Sequence, residues 1–316
     1  METLNDGRSN QTGNDFKDAL FQGRPRERYR QLGFDFDIQI ITVANKRQVE
    51  LRAVHFEEYV GYDRIDASDQ IRANMVLSKR GRLVEAEFVR TLGDHAKDVG
   101  VVVQTVADID VEDRQCKVLD IGVKAIEPQH RNQDLGILLL VDAIVEHDGI
   151  CYVTGQSRNG RVFSYLEKAR ELRLFKGEIR GYEKDLTVGD IDEILKPVLL
   201  GRKFKQVDKL RTGLLLDIYS PADHSLFEAP TTNEKAVRVV DKLKRRGVAP
   251  GGPNGIRYLA EVNEETVRDL REEYKRIELL EVPSTGNRYR ETLLERLAGL
   301  LGFPPKVKIG FSSLFR

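Results

Sequence analysis

The sequence predicts an α+β fold followed by a smaller α/β domain, and three observations carry that expectation. Apolar residues recur at strand spacing through much of residues 36–126. A proline and a polar turn then open into helical spacing near residue 135. Beyond Thr187 strand-like and helix-like segments alternate one for one. A chain of 316 residues is long for one core, so two domains are expected.

Residues 1–34 are rich in Asn, Gly, Gln, Asp and Arg around one short apolar patch, and read as a disordered tail. Order is expected to begin with FDIQIITV, which alternates like a strand. Val49, Ala53, Phe56 and Val60 then share one helical face, and SDQIRANMVLSKR suits a second helix. Three apolar runs follow, RLVEAEFVRTL, VGVVVQTVADI and CKVLDIGVKAI, joined by GDHAKD and DVEDRQ. Such short polar joints predict an antiparallel meander.

After Pro128 the period changes. Leu138, Val141 and Val145 line one side of a helix, and GICYVTG reads as a buried strand. Val162, Leu166 and Ala169 line another helix that starts near Asn159. LRLFKGEIRGYEKDL is expected to hold two short strands around Gly177 and Gly181. This order defines a unit over 35–187, with a linker near 187–203. In the remainder, 188–316, GDIDEILKPVLL suits a short helix, and TGLLLDIYS, IRYLAEV and IELLEV suit strands. Helices are expected around Ala236, Val240 and Leu243, around Val267, Leu270 and Tyr274, and in the Leu-rich stretch near 290–301. Alternation of this kind predicts parallel pairing.

Composition excludes several classes. Basic and acidic residues number 51 each, so no net field draws the chain to nucleic acid or a membrane surface. The local basic runs, Arg24 to Arg30 and KLKRR at 242–246, read as solvated faces. Cys116 and Cys151 support neither a disulfide framework nor a zinc site, and the five histidines never recur at ligand spacing. No metal is expected. The opening residues lack a signal peptide's apolar core, and the longest apolar run, about half a membrane span, contains Asp142. A cytoplasmic protein with no membrane partner is expected.

The stretch from Lys124 to His147 holds the motif with chemical content. Ile126-Glu127-Pro128 ends a strand, Arg131-Asn132-Gln133-Asp134-Leu135-Gly136 forms the turn, and Ile137 to Leu140 begin a helix. Farther on, NGRVFSYLEK carries Asn159, Tyr165 and Lys168. These residues and their order resemble the coenzyme-A loop and second landmark of the GCN5-related N-acetyltransferase (GNAT) superfamily, over residues 36–187. The resemblance implies a GNAT-like mixed sheet flanked by helices. It implies acetyl-CoA, or another acyl-CoA, as co-substrate, and an acyl group moved to an amine by direct attack on the thioester.

The physical logic of the loop is that N–H groups opening a helix can cradle a diphosphate without a metal. The resemblance gives that task to Arg131, Asn132, Gln133, Asp134, Leu135, Gly136 and Ile137, with Asn159 nearby. It has Val123, Ala125 and Ile126 pair with the pantetheine amides. Asp120, on the same strand, resembles in register the glutamate used as base by histone-modifying members, and strand N–H groups would hold the oxyanion. Tyr165 is the candidate acid for the leaving thiolate. Glu127 is a second candidate base, although a residue before proline often shapes the turn. Two positions depart from the pattern. Asp134 stands at a usual glycine, and Leu166 at a frequent tyrosine, with Tyr165 about 100° away on the helix.

Several residues also have structural readings. Asn159 suits a helix cap, Cys151 a small buried hydrophobe, and Ser157 and Arg158 lie near the expected mouth. The C-terminal half faintly resembles phospholipase-D-like sensor modules but lacks their His-x-Lys pair, which implies binding, sensing or oligomerisation. APGGPNG at 249–255 reads as a surface or ligand-facing loop. Two functions stay open: an acyl-CoA-dependent N-acyltransferase acting on a small-molecule or protein amine, and a non-catalytic sensor on the same fold. A nucleic-acid factor using Arg24 to Arg30 ranks below both.

Overall fold

The structure, a computed structural model, describes residues 33–56, 59, 82–92, 95–130, 135–199, 211–219 and 234–278. The tail through residue 32, the second early helix, Arg131 to Asp134 and the last part of the linker, from residue 200, lie outside the described residues. So do the C-terminal helix near 290–301 and most of IELLEV, whose first two residues end a helix instead.

A mixed sheet flanked by helices organises the molecule. Strands β1 (Phe34–Ile40), β2 (Arg82–Thr91), β3 (Asp98–Val111) and β4 (Arg114–Ile126) form the expected antiparallel meander. The β3–β4 connection is a two-residue turn in which Glu112 and Asp113 both take positive φ, 48° and 62°. Paired left-handed residues match the strand twist at such a hairpin. Helix α1 (Lys46–Val54) lies between β1 and β2 in sequence, and buries Val49 and Ala53 against Phe88, Val101 and Val103. Arg52 fastens it, stacking over Phe88 and bonding Asp37 and Asp98.

From β4 the chain passes through α2 (Leu135–Glu146) to β5 (Ile150–Ser157), which lies parallel to β4. Helix α3 (Gly160–Glu171) and strand β6 (Phe175–Arg180) follow. The expectation of two strands around Gly177 and Gly181 becomes one. Gly181, at φ 81°, already turns the chain, and a Cβ there would lie 2.1 Å from the Arg257 carbonyl oxygen.

The C-terminal half supplies the largest difference from expectation. Strand β8 (Gly255–Val262) inserts between β5 and β6, giving the order β1-β2-β3-β4-β5-β8-β6, with the short β7 (Leu214–Leu215) also on β8. All three β8 pairings are antiparallel, which corrects the expected parallel arrangement. Part of the region after residue 187 therefore belongs to the same sheet as the N-terminal unit. The phospholipase-D-like resemblance finds no counterpart in this topology. Alternation of strands and helices was a poor guide because α4 returns the chain as β8 to the existing sheet, antiparallel to β5 and β6, rather than to a new one.

Helices α2, α3, α4 (Glu234–Arg245) and α5 (Glu264–Glu278) cover one face, through Leu140, Ile144, Phe163, Leu166, Val239, Leu243, Val267 and Leu270. On the opposite face, the turns Asp190–Leu195 and Lys196–Val198 cover Val118, Cys151 and Leu259. Polar fasteners join the late elements to the early ones. Arg271 of α5 donates to the carbonyls of Val145 (2.7 Å) and His147 (3.0 Å) at the end of α2. Lys242 of α4 donates to Glu167 (2.7 Å) and Glu183 (3.1 Å).

Two local irregularities sit at the centre of the sheet. In the β3–β4 ladder Val103 faces Val123 and Gln104 faces Ile121, so Gly122 is the extra residue of a bulge. On the other side of β4, pairing with β5 ends at Ile121 and Gly155. A Cβ at Gly155 would lie 2.9 Å from the Ile121 oxygen and 2.5 Å from the Tyr258 hydroxyl. Gly155→Ala is therefore expected to lower stability by about 1–3 kcal/mol. An unshifted urea midpoint would contradict the close approach of β4, β5 and β8 at Gly155.

Candidate active site

Beyond Ile121 and Gly155 the parallel strands part, and among the described residues no strand pairs with that edge of β4 again. The gap opens a cleft walled by Gly122–Lys124 of β4, Gln156 and Ser157 of β5, and Val162 and Tyr165 of α3. Tyr258 of β8, Tyr59 and Tyr219 complete the wall, and the cleft encloses about 600 Å³ of space, including its open mouth.

The bulge decides which side chains enter it. Leu119 and Ile121 point into the core beneath α2 and α3, whereas Val123 and Ala125 point to the opposite core beneath α1. One inserted residue has exchanged the faces, as a slip of one must in a structure of period two. Lys124 consequently points to the helix side. Its Nζ donates to the Gly136 carbonyl in the first turn of α2 and lies 4.3 Å from the Tyr165 ring centroid. Burial pulls this amine down to about 7, against a smaller opposing influence of Glu87.

Tyr165 lines the cleft, while Leu166 is fully buried in the core with Phe163 and Ala169. The tyrosine one place earlier than the usual position is thus the one that faces the opening. Its hydroxyl is hydrogen-bonded to that of Tyr258, and burial pushes both phenols up, keeping them protonated at neutral pH.

The other sequence candidates scatter. Asp120 is 1% exposed and accepts a 2.9 Å hydrogen bond from the equally buried Arg257. By pleat alternation it shares the face of Val118 and Leu259, away from α2 and α3. It is not among the cleft-lining residues. Arg257 also donates to Gln156 (3.1 Å), so a chain of contacts runs from the cleft wall to Asp120. Glu127 is buried against Lys97 (3.1 Å) and Gln129 (2.6 Å), outside the cleft wall.

Among the loop candidates, Leu135 and Ile137 bury their side chains in the core, so a ligand could meet only their main chain. Gly136 is half-buried against Lys124 and Tyr165. Val123 and Ala125 likewise present main chain only, and Ile126 ends β4 opposite Gly100. Arg131, Asn132, Gln133 and Asp134 lie outside the described residues. Asn159 both lines the cleft and caps α3, accepting from the Arg161 amide at 3.0 Å. Cys116 and Cys151 are buried in the far core, where burial pushes the Cys116 thiol up to about 12. Among the described residues no group of three or more metal-ligating side chains occurs. No described helix is long and apolar enough to cross a membrane.

Sequence reasoning missed Lys124, Gln156, Tyr219, Arg257 and Tyr258. An arginine inside the apolar run IRYLAEV was the available signal for Arg257, since a strand buried on both faces admits a charge only with a partner. It missed also how APGGPNG is held. Arg158 donates to the carbonyls of Gly251 (3.3 Å) and Gly252 (2.6 Å), with its guanidinium 4.8 Å from the Tyr219 ring centroid. That loop is fastened to the end of β5, beside the cleft.

No protein-family model matches the chain, and no curated protein does. Among solved structures it is similar to a tyrosine-to-phenylalanine mutant of the AtaT toxin, bound to the C-terminus of the antitoxin AtaR and acetyl-CoA. That match has 12% identity and a TM-score of 0.28, over 43% of this chain and 84% of that one. A probable N-acyltransferase of Enterococcus faecalis V583 matches at 9% identity and TM-score 0.27, over 44% of this chain and 33% of that one. A GNAT-family acetyltransferase of Streptococcus pneumoniae matches at 18% and 0.27, over 46% and 90%. Overlap at this level leaves function to be argued from the site.

Lys124 gives the site a measurable signature. Its unfolded amine keeps a proton to about 10.5, the folded one only to about 7. Between those values the unfolded chain binds more protons, so stability rises with pH across that window and the gain is lost as pH falls through 7. Urea melts are expected to show wild type gaining stability over Lys124→Met from pH 7 to about 10.5. Parallel pH profiles would contradict the buried placement of this amine.

Proposed function

We propose that the protein is an acyl-CoA-dependent N-acyltransferase whose reaction takes place in the cleft between β4 and β5. The observation that carries this reading is the parting of two parallel strands beside the first turn of α2. An unpaired strand edge offers main-chain donors and acceptors to an amide-bearing arm such as pantetheine. The adjoining helix start favours an anion such as the pyrophosphate. A cofactor of this kind supplies an activated thioester. The resemblance of residues 124–147 and 159–168 to the GNAT landmarks adds to the reading.

Within it, the residues divide the work. Main-chain groups of Gly122 to Lys124, the loop from Arg131 to Ile137, and Asn159 are assigned to binding. Tyr165, held protonated and bonded to Tyr258, is assigned to protonating the departing thiolate. Asp120 is assigned to positioning, because Arg257 engages it on the far face and relays to Gln156 at the wall. Among the described residues no carboxylate lines the cleft, so the acceptor's proton leaves through water at the open mouth.

Acetyl-CoA at about 100 times its dissociation constant is expected to add about 2.7 kcal/mol of stability, seen as a thermal shift. Pantetheine thioester, lacking the diphosphate, should give less, and the absence of any shift removes the assignment. Tyr165→Phe is expected to keep the shift and lower turnover by about 10² on an accepted amine. An undiminished rate would release Tyr165 from the acid role. Binding without turnover across a broad amine panel would favour a sensor on the same fold.

A further inference from the structure

Lys124 is the feature of the cleft to which the acyltransferase reading gives no side-chain role. Its side chain crosses from β4 to the first turn of α2 and lies against Tyr165 of α3, spanning the gap between these two helices beside the cleft. A Cβ on Gly136 would lie 3.5 Å from its Nζ and 3.8 Å from the Tyr165 ring, so the three groups meet at one point. The Nζ has a main-chain carbonyl as its hydrogen-bond acceptor, and the carboxylate that acts on it is Glu87. Glu87 stands in its cross-strand row, through Val102, and acts on it only at longer range.

These features describe a nucleophile. Attack on a thioester needs an amine lone pair, and an ordinary lysine holds that pair protonated at neutral pH. Burial pulls this one down to about 7, so its lone pair becomes available near neutral pH. A bond to a carbonyl can be given up without leaving a buried charge unpaired, which an ion pair cannot. We infer that Lys124 is itself an acyl acceptor, taking the acyl group of a bound thioester onto Nζ when no other amine occupies the cleft. The inference rests on the acyltransferase reading.

The step balances simply. The neutral Nζ attacks the thioester carbonyl carbon, and a C–N bond forms. The C–S bond breaks with its electron pair on sulfur, and the proton shed by nitrogen leaves thiol and amide as products. No oxidant or metal takes part. The product amide cannot be protonated, loses its attraction for the Tyr165 ring, and leaves an acyl group in the gap between α2 and α3. Self-acylation would therefore limit its own enzyme.

The test uses the full chain with isotopically labelled acetyl-CoA and no added amine, followed by intact mass and peptide mapping, alongside the thermal shift. Label is expected on the Lys124 peptide at about ten times the level on the half-exposed Lys97 and Lys196. It should saturate with acetyl-CoA and disappear from that peptide in Lys124→Arg. The rate should climb to about pH 7 and then level off, while chemical labelling of exposed lysines keeps rising with pH. The groups facing Nζ are Glu87 from β2, Tyr165 from α3 and Tyr258 from β8 behind it, and burial holds both phenols neutral in that range. A thermal shift without label on Lys124 overturns this inference and leaves the acyltransferase reading standing. Label spread evenly over lysines marks chemical acylation and also overturns it. Neither shift nor label removes both.

Discussion

A β-strand holds its side chains in strict alternation, so the one unpaired residue at Gly122 decides which side of the sheet everything after it meets. Without the bulge, Val123 and Ala125 would follow Leu119 and Ile121 beneath α2 and α3. Lys124 would then point to α1, towards the apolar cluster that holds Val49, Phe56 and Phe88. A bulge also adds local twist and bends the strand that carries it. Here the bend falls immediately after the last β4–β5 pair, so the same residue that swaps the faces sits where the strands separate. Cleft and lysine therefore follow from one insertion.

The cleft also depends on a strand from the far half of the chain. Tyr258 and Gln156 reach the wall because β8 lies beside β5, and Arg257 holds that register by reaching across β5 to Asp120. Both members of this pair are 1% exposed. Placing two charges there is expensive, and removing one partner of such a pair typically costs about 3–5 kcal/mol. A packed apolar pair could give as much stability. What the ion pair adds is selectivity of register, because only one alignment of β8 brings its arginine to the carboxylate.

Legibility in the sequence followed the range of the interactions. Elements set by local periodicity, the meander, α2, α3, α4 and α5, were all readable, whereas the polar joint DVEDRQ proved shorter than read, a two-residue turn at Glu112 and Asp113. Asn159 as a cap was readable because its partner is two residues away. The insertion of β8 was not, since its strand pattern is satisfied equally by any buried neighbour and the pairing spans about a hundred residues. Asp120 shows the limit most clearly. Its position on β4 was legible, but the partner that holds its carboxylate, Arg257, lies far along the chain.

Tyr165 and Leu166 show how the packing of a helix decides which side chain faces the cleft. Helix α3 must bury Phe163, Leu166 and Ala169 against the sheet, and a tyrosine at 166 would carry its hydroxyl into that core, where burial demands a partner. Leucine satisfies the core instead. Its neighbour at 165 then lies about 100° around the helix, on the side shared with Val162 at the cleft. The Tyr165 hydroxyl finds its partner in Tyr258, on a strand the local sequence does not contain. A phenol in that place faces the opening only because β8 closes the wall behind it. Whatever chemistry the cleft performs is accordingly built jointly by the two halves of the chain.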